Sequence, residues 1–196
     1  MSDLAYDGSE QIVAGYEPGS GDPEKDQALH DISMMFGGRI PNFHKVLANS
    51  QAVVAAFEAM RRNMQKTKLR PLEREIVSVE VSRRTNCHYC LAAHSNFAKQ
   101  MKMSRADIQA MRTGQPLSDP RHALVQRAAQ RLWDTQGRLT SEEIRSFGDQ
   151  GLSATELIEI IAVIGWYVIS TLTNNLARTR IDPEFQYDDG AGTERA

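Results

Sequence analysis

Two thiols and an imidazole carry the only concentrated chemistry in this chain. Cys87 and Cys90 are the sole cysteines among 196 residues, two residues lie between them, and His94 follows four positions after Cys90. Thiols at that spacing are close enough to close a disulfide, and a histidine one helical turn away moves protons near neutral pH. The chemistry this set points to is thiol redox. A bridge between Cys87 and Cys90 would be a poor staple, because it closes a very short loop and takes little entropy from the unfolded chain. A cytosolic disulfide is also more often catalytic or redox-sensing than structural.

Helices must position these groups, since almost the whole chain carries helical period and no strand pair or hairpin turn is apparent. Asp22-Pro23 reads as a helix start, running past Leu29 and Ile32 to a stop at Gly37-Gly38. Pro41 opens a short helix with Phe43, Val46 and Leu47 on its apolar side. Residues 51–66 form a longer one, with Val53, Phe57, Met60 and Met64 as the expected inner band. The valine-rich segment after Leu69-Arg70-Pro71 reads as helix, because its charges at Glu73, Arg74, Glu75, Glu80, Arg83 and Arg84 do not alternate. Further starts stand at Ser104, Asp119-Pro120, Thr140 and Ser153, the last two with capping-box residues three positions on, and Gly114 is a stop. The final helix, residues 157–179, is apolar on most faces and is expected to be buried. The prediction is an all-α fold of roughly eight or nine helices. Residues 1–22 read as a flexible or draped arm, 23–185 as a single helical domain and 186–196 as an acidic tail.

With Asn86 as N-cap, a helix from Cys87 places Cys87, Cys90 and His94 along one face. The helix N-terminus favours a thiolate at Cys87, whereas the nearby base favours Cys90. A positioned base should outweigh a dipole effect of about 1 kcal/mol, so Cys90 is the expected attacking thiol. A carboxylate would orient His94 and make it more basic. If the preceding helix packs antiparallel, Glu73 and Glu75 both lie level with His94, Glu80 lies nearer the turn, and spacing alone does not choose between the first two.

Composition narrows the other readings. A 41% hydrophobic and 24% charged chain is globular in balance, and a net charge of −2 gives no bulk reason to bind nucleic acid or an anionic membrane. No secretory signal pattern follows Met1, and the apolar run 157–169 is short for a bilayer span and broken by Glu159, so the expected location is cytoplasmic. A zinc half-site built from the cysteines, His94 and Glu75 is disfavoured because structural zinc prefers more sulfur. Covalent haem is excluded because Leu91 stands where histidine is required. Buried inert thiols remain a plain alternative. His30, His44 and His122 read as surface or interface residues, and Trp133, Trp166 and Tyr167 as helix packing. The adjacent amides Asn174-Asn175, near the end of an apolar helix, need partners at an interface or at the site.

The run Glu75-x(11)-Cys87-x-x-Cys90-x-x-x-His94, with Asn86 before it, resembles the core motif of the alkylhydroperoxidase D-like branch of the carboxymuconolactone decarboxylase superfamily. Arg39-Ile40-Pro41-Asn42, with Val46-Leu47-Ala48-Asn49-Ser50 following, is similar to its peroxidase-related subgroup. The resemblance spans about residues 28–180. It implies an all-helical fold, assembly into trimers or hexamers, and thiol-dependent reduction of hydroperoxides with no metal or organic cofactor. It further implies Glu75 as the carboxylate relaying protons through His94, Cys90 as the activated thiol and Cys87 as its disulfide partner. One position departs from the founding branch, where a histidine is expected directly before the second cysteine and Tyr89 stands here. Tyr89 removes a proton carrier between the thiols.

The function expected is a thiol peroxidase that takes a hydroperoxide substrate and is reset by an external dithiol or protein thiol. Alternatives are a redox-responsive, non-enzymatic oligomeric module and a decarboxylase or lactone-handling enzyme on the same scaffold. The superfamily's decarboxylases resemble the fold but do not carry the paired cysteines.

Overall fold

The computed structural model describes residues 10–187; residues 1–9 of the expected arm and 188–196 of the expected tail lie outside them. Among the described residues there are nine α-helices, one short 3-10 turn and no strand. They are α1 (Pro23–Met35), α2 (Asn42–Leu47), α3 (Gln51–Met64), α4 (Pro71–Arg84), α5 (His88–Gln100), α6 (Arg105–Thr113), α7 (Pro120–Asp134), α8 (Ser141–Asp149) and α9 (Ala154–Ala177). The all-helical expectation holds.

Local chemistry sets most of the boundaries. Asp22, Ser104, Asp119, Thr140 and Ser153 each accept a backbone N–H of the first turn through a side-chain oxygen, satisfying donors the helix itself leaves unpaired. Gly114 ends α6 at φ +74°, a left-handed conformation that costs glycine nothing.

Helix α4 is the axis of the bundle, packed against α5, α6, α7 and α9. Ile76, Val77, Val79 and Val81 are all buried, which a helix wrapped on most sides by others requires. Its buried serines return their hydroxyls to its own backbone: Ser78 donates to the Glu75 carbonyl and Ser82 to that of Ser78. Helix α9 crosses α2, α3, α4, α5 and α7.

Two packing expectations need correction. On α3, Phe57 is buried and Met60 and Met64 pack against the core as expected, but Val53 is 40% exposed and its neighbour Val54 is the buried residue at the start of the band. Helix α9 is not buried on most faces: Ile158, Ile161, Leu172 and Leu176 lie on its outside. At 24 residues it is also long and apolar enough to cross a membrane by length and composition, which the shorter run read from the sequence did not show. Here its other side packs as a central helix of the bundle.

Residues 10–22 carry no helix. Ile12 N–H donates to the Ala177 carbonyl and Tyr16 N–H to that of Lys45, which lays this segment across the ends of α9 and α2.

Candidate active site

The turn between α4 and α5 positions the thiols, and it differs from the sequence expectation. Asn86 does not cap α5. It adopts φ +52° and terminates α4, with Asn86 N–H on the Arg83 carbonyl and Cys87 N–H on that of Ser82. This is the double closure of a Schellman turn, and asparagine tolerates the left-handed position it needs. Cys87, in extended conformation, is therefore the N-cap of α5, and its Sγ accepts the Cys90 N–H at 3.4 Å. Cys90 is the third residue of the helix. Both thiols thus sit at the positive end of the same helix, and the dipole does not discriminate between them.

Other contacts discriminate. Both cysteines are free thiols and both are buried. Ser170 Oγ lies 3.2 Å from Cys90 Sγ, and Asn174 Nδ2 donates to the same sulfur at 3.2 Å. These residues sit one turn apart on α9, so one helix face delivers two hydrogen-bonding groups to one sulfur. His94 Nδ1 is 2.7 Å from Glu75 Oε2, both side chains being largely buried. Glu73 and Glu75 are level by spacing, and the structure brings Glu75 to His94.

The electrostatics follow this geometry. Burial by itself would push the Cys90 thiol up; the hydrogen bond from Cys87, the charge of His94 and the contacts from Ser170 and Asn174 outweigh burial and bring it down to about 7. The Cys87 thiol moves the opposite way, pushed well up by its hydrogen bond to Cys90 and then by burial. Burial disfavours the His94 cation, yet Glu75 and the Cys90 sulfur together raise His94 above its ordinary value. One thiol is prepared as a thiolate and the other is held protonated beside it.

Cys90, and not Cys87, lines a cavity of about 160 Å³. Its walls are mostly aromatic, with Phe43, Phe57, Phe97, Trp166, Tyr167 and Phe185 among them. Tyr167 stands edge-on to His94, with ring centroids 4.6 Å apart. An apolar cavity of roughly 150 Å³ takes a single benzene ring, so this one accepts an organic group of that size next to the sulfur. Tyr89 borders it as well, and its hydroxyl donates to Asp182 Oδ2 at 2.6 Å. The same carboxylate accepts the Asn42 N–H at the start of α2. Tyr89 is thus engaged in joining the chain after α9 to the cavity rim.

Several site residues were not recognised in the sequence. Ser170 gave no signal on its own, although a serine and an asparagine four apart in an otherwise apolar helix mark a polar stripe. The Asn174-Asn175 pair needs partners in an apolar helix, and these are the Cys90 sulfur and the Thr85 carbonyl. His44, read as a surface or interface residue, is buried and lines the cavity, and Trp166 and Tyr167 serve as its walls as well as packing helices. Among the described residues no group of three or more His, Cys, Asp or Glu side chains is arranged to hold a metal ion.

Residues 51–119 match the model of the Carboxymuconolactone decarboxylase family. No curated protein sequence matches the chain. Among solved structures, the fold is similar to that of an alkylhydroperoxidase AhpD core, an uncharacterized peroxidase-related protein from Ralstonia eutropha JMP134. That likeness has a TM-score of 0.79 at 18% identity and covers 90% of this chain and 96% of the other. A peroxidase-related protein from Silicibacter sp. TM1040 gives 0.74 at 19% identity, covering 92% and 98%. The debrominase Bmp8 gives 0.65 at 17% identity, covering 90% and 95%. At such identities the likeness is one of fold. The family match spans α3 to α6, and the fold as a whole is similar to that of the alkylhydroperoxidase AhpD core.

Proposed function

We propose that the protein is a thiol peroxidase that reduces small organic hydroperoxides through Cys90 and Cys87. The observation that carries this reading is a thiol brought down to about 7 at the edge of a ring-sized aromatic cavity, with a second thiol three residues away. Glu75 orients His94, and His94 takes the Cys90 proton. The Cys90 thiolate attacks the terminal oxygen of the hydroperoxide, the O–O bond breaks, and the alkoxide leaves and is protonated to the alcohol. Cys90 is then a sulfenic acid. Cys87 attacks that sulfur, the S–S bond forms and water departs. An external dithiol, or a protein thiol, returns both cysteines to thiols, and a reducing cytoplasm would supply it. The outward apolar side chains of α9, with Ile158 67% and Leu176 70% exposed, support assembly of this unit into a homo-oligomer.

A second reading has one observation in its favour. The aromatic, ring-sized cavity suits a halogenated ring as well as a hydroperoxide, and the structural neighbour named a debrominase was also solved with 2,3,4-tribromopyrrole. Here the thiolate would take the halogen, the ring carbon would take a proton, and Cys87 would displace halide to leave the same disulfide.

Thiol titration before and after one equivalent of tert-butyl hydroperoxide tests the first reading, followed by turnover with a dithiol. Loss of both thiols and sustained consumption of peroxide are expected. An unchanged thiol count would sink the peroxidase reading, and halide release from bromopyrroles by such a peroxide-inert protein would establish the second.

A further inference from the structure

A second histidine–carboxylate pair borders the same cavity and takes no part in the scheme above. His44 on α2 places Nε2 3.7 Å from Glu58 Oε1 on α3, and Glu58 Oε2 accepts from Arg61 Nε at 2.6 Å. Burial would raise the Glu58 carboxyl, but the contacts from His44 and Arg61 outweigh it and hold it below the ordinary carboxylate range. His44 is only 7% exposed and is enclosed by Phe36, Phe43 and Phe57, with ring centroids 5.6, 5.0 and 6.4 Å away. Nε2 faces Glu58 at ion-pair rather than hydrogen-bond distance, and both Glu58 Oε1 and the other ring nitrogen, Nδ1, are buried with no hydrogen-bond partner within the protein.

A buried imidazole nitrogen without a partner costs free energy of the order of 1–3 kcal/mol, so it is a feature that needs a reason. Two other lining residues share it: Trp166 Nε1 and Asn174 Oδ1 are also buried and unpartnered. Unpartnered polar atoms from α2 and α9 therefore border a mostly aromatic cavity, which suits an apolar ligand carrying a compact polar group. A hydroperoxide is such a ligand, with its O–O group in line with the attacking sulfur and its leaving oxygen directed away from it. His94 is tied to Glu75 through Nδ1 and supports the Cys90 thiolate with its charge, so a second donor at the cavity wall would leave that support in place while the leaving oxygen is protonated.

We infer that His44, oriented by Glu58, is the general acid that protonates the alkoxide leaving group. This rests on the thiol peroxidase reading and adds a catalytic residue to it. As the Cys90 thiolate takes the terminal OH, the O–O electron pair goes to the alkoxide oxygen, and the proton on His44 Nδ1 passes to that oxygen to give the alcohol. His44 is reprotonated from solvent, to which His94 releases the proton it took from Cys90, so protons balance over the turn.

The test exploits leaving-group chemistry. A general acid matters greatly for a strongly basic alkoxide and little for a leaving group that is already a stable anion. Cys90 oxidation is measured with tert-butyl hydroperoxide and with peroxybenzoic acid, whose leaving groups are an alkoxide and a carboxylate, in wild type and in His44→Gln. The ratio of the two rates is independent of the folded fraction of each preparation, so a partly unfolded variant still gives an answer. Glu58→Gln, which keeps the imidazole, provides a second variant and is expected to show a smaller change in the same direction. The expected result is a fall in the ratio by about 100-fold in His44→Gln, the lower end of what general acid catalysis contributes. An unchanged ratio, with both rates reduced equally or not at all, overturns the inference and leaves the peroxidase reading standing. A wild-type protein inert to both peroxides overturns both.

Discussion

Glu73 and Glu75 lie two residues apart on α4 and both are buried, yet they belong to different parts of the molecule. Two residues are about 200° of helical rotation, so the carboxylates leave α4 on nearly opposite sides. Glu73 accepts from the Arg70 guanidinium at 2.8 and 3.0 Å and from Arg121 Nε at 2.8 Å. Arg121 also binds Glu156 and the Gly151 carbonyl, so one guanidinium ties together the starts of α4, α7 and α9. Glu75 has His94. Burial works against ionisation of Glu73, but Arg121 and Arg70 outweigh it and hold its carboxyl low. The lesson lies in the partners: arginine keeps its proton at any working pH, so the Glu73 cluster is a static clamp. Histidine gains and loses a proton near neutrality, so the Glu75 pair can move one.

Severing the clamp should give the largest effect. Arg121→Met leaves the fully buried Glu73 with only the more exposed Arg70, and the expected loss of stability is about 3 kcal/mol by urea denaturation. The peroxide reactivity of the folded fraction should not change. Equal losses of stability and reactivity would show that the two carboxylates are not separate.

Glu75→Gln is the converse. Without the carboxylate, His94 loses its principal stabilising charge, less of it is cationic at neutral pH, and the Cys90 thiolate loses that support. The pH midpoint of Cys90 therefore moves up from about 7. We expect Cys90 oxidation to be about tenfold slower at pH 7, equivalent to about 1.4 kcal/mol, and to converge on wild type in alkali. Glu73→Gln should show no such pH-dependent loss. A uniform loss across pH in Glu75→Gln would mean a packing role instead.

The smallest change is expected from Asn174→Ala. It removes one hydrogen bond to the Cys90 sulfur, and a roughly threefold slower oxidation at pH 7 follows from a contribution of about 0.7 kcal/mol. No change at all would leave Ser170 and His94 as the whole support of the thiolate.

The same pair of carboxylates shows what was legible in the sequence. Caps were, because an N-cap is a bond between a side chain and the backbone three residues on, and Asp22, Ser104, Asp119, Thr140 and Ser153 carry it locally. The Cys87, Cys90 and His94 spacing was legible for the same reason, since one helix fixes it. Which side of α4 meets α5 is a tertiary matter, so Glu73 and Glu75 could not be separated by spacing. The exposed Val53 at the start of α3 and the half-exposed α9 fail on the same ground, as periodicity does not say what a face packs against. Asn86 was misread because asparagine serves both as an N-cap and as a left-handed stop, and only the α4 carbonyls decide. His44 was missed because nothing in six residues of α2 announces that Glu58, on another helix, will stand beside it.

The central claim is that the partners around Cys90, and not the shared helix terminus, make it the reactive thiol. Peptide-resolved alkylation of the reduced protein with iodoacetamide across pH 5 to 10 tests it directly. The account predicts labelling of Cys90 with a midpoint of about 7 and of Cys87 only far above it. Labelling of Cys87 first, or of both thiols together in the ordinary thiol range, would contradict it.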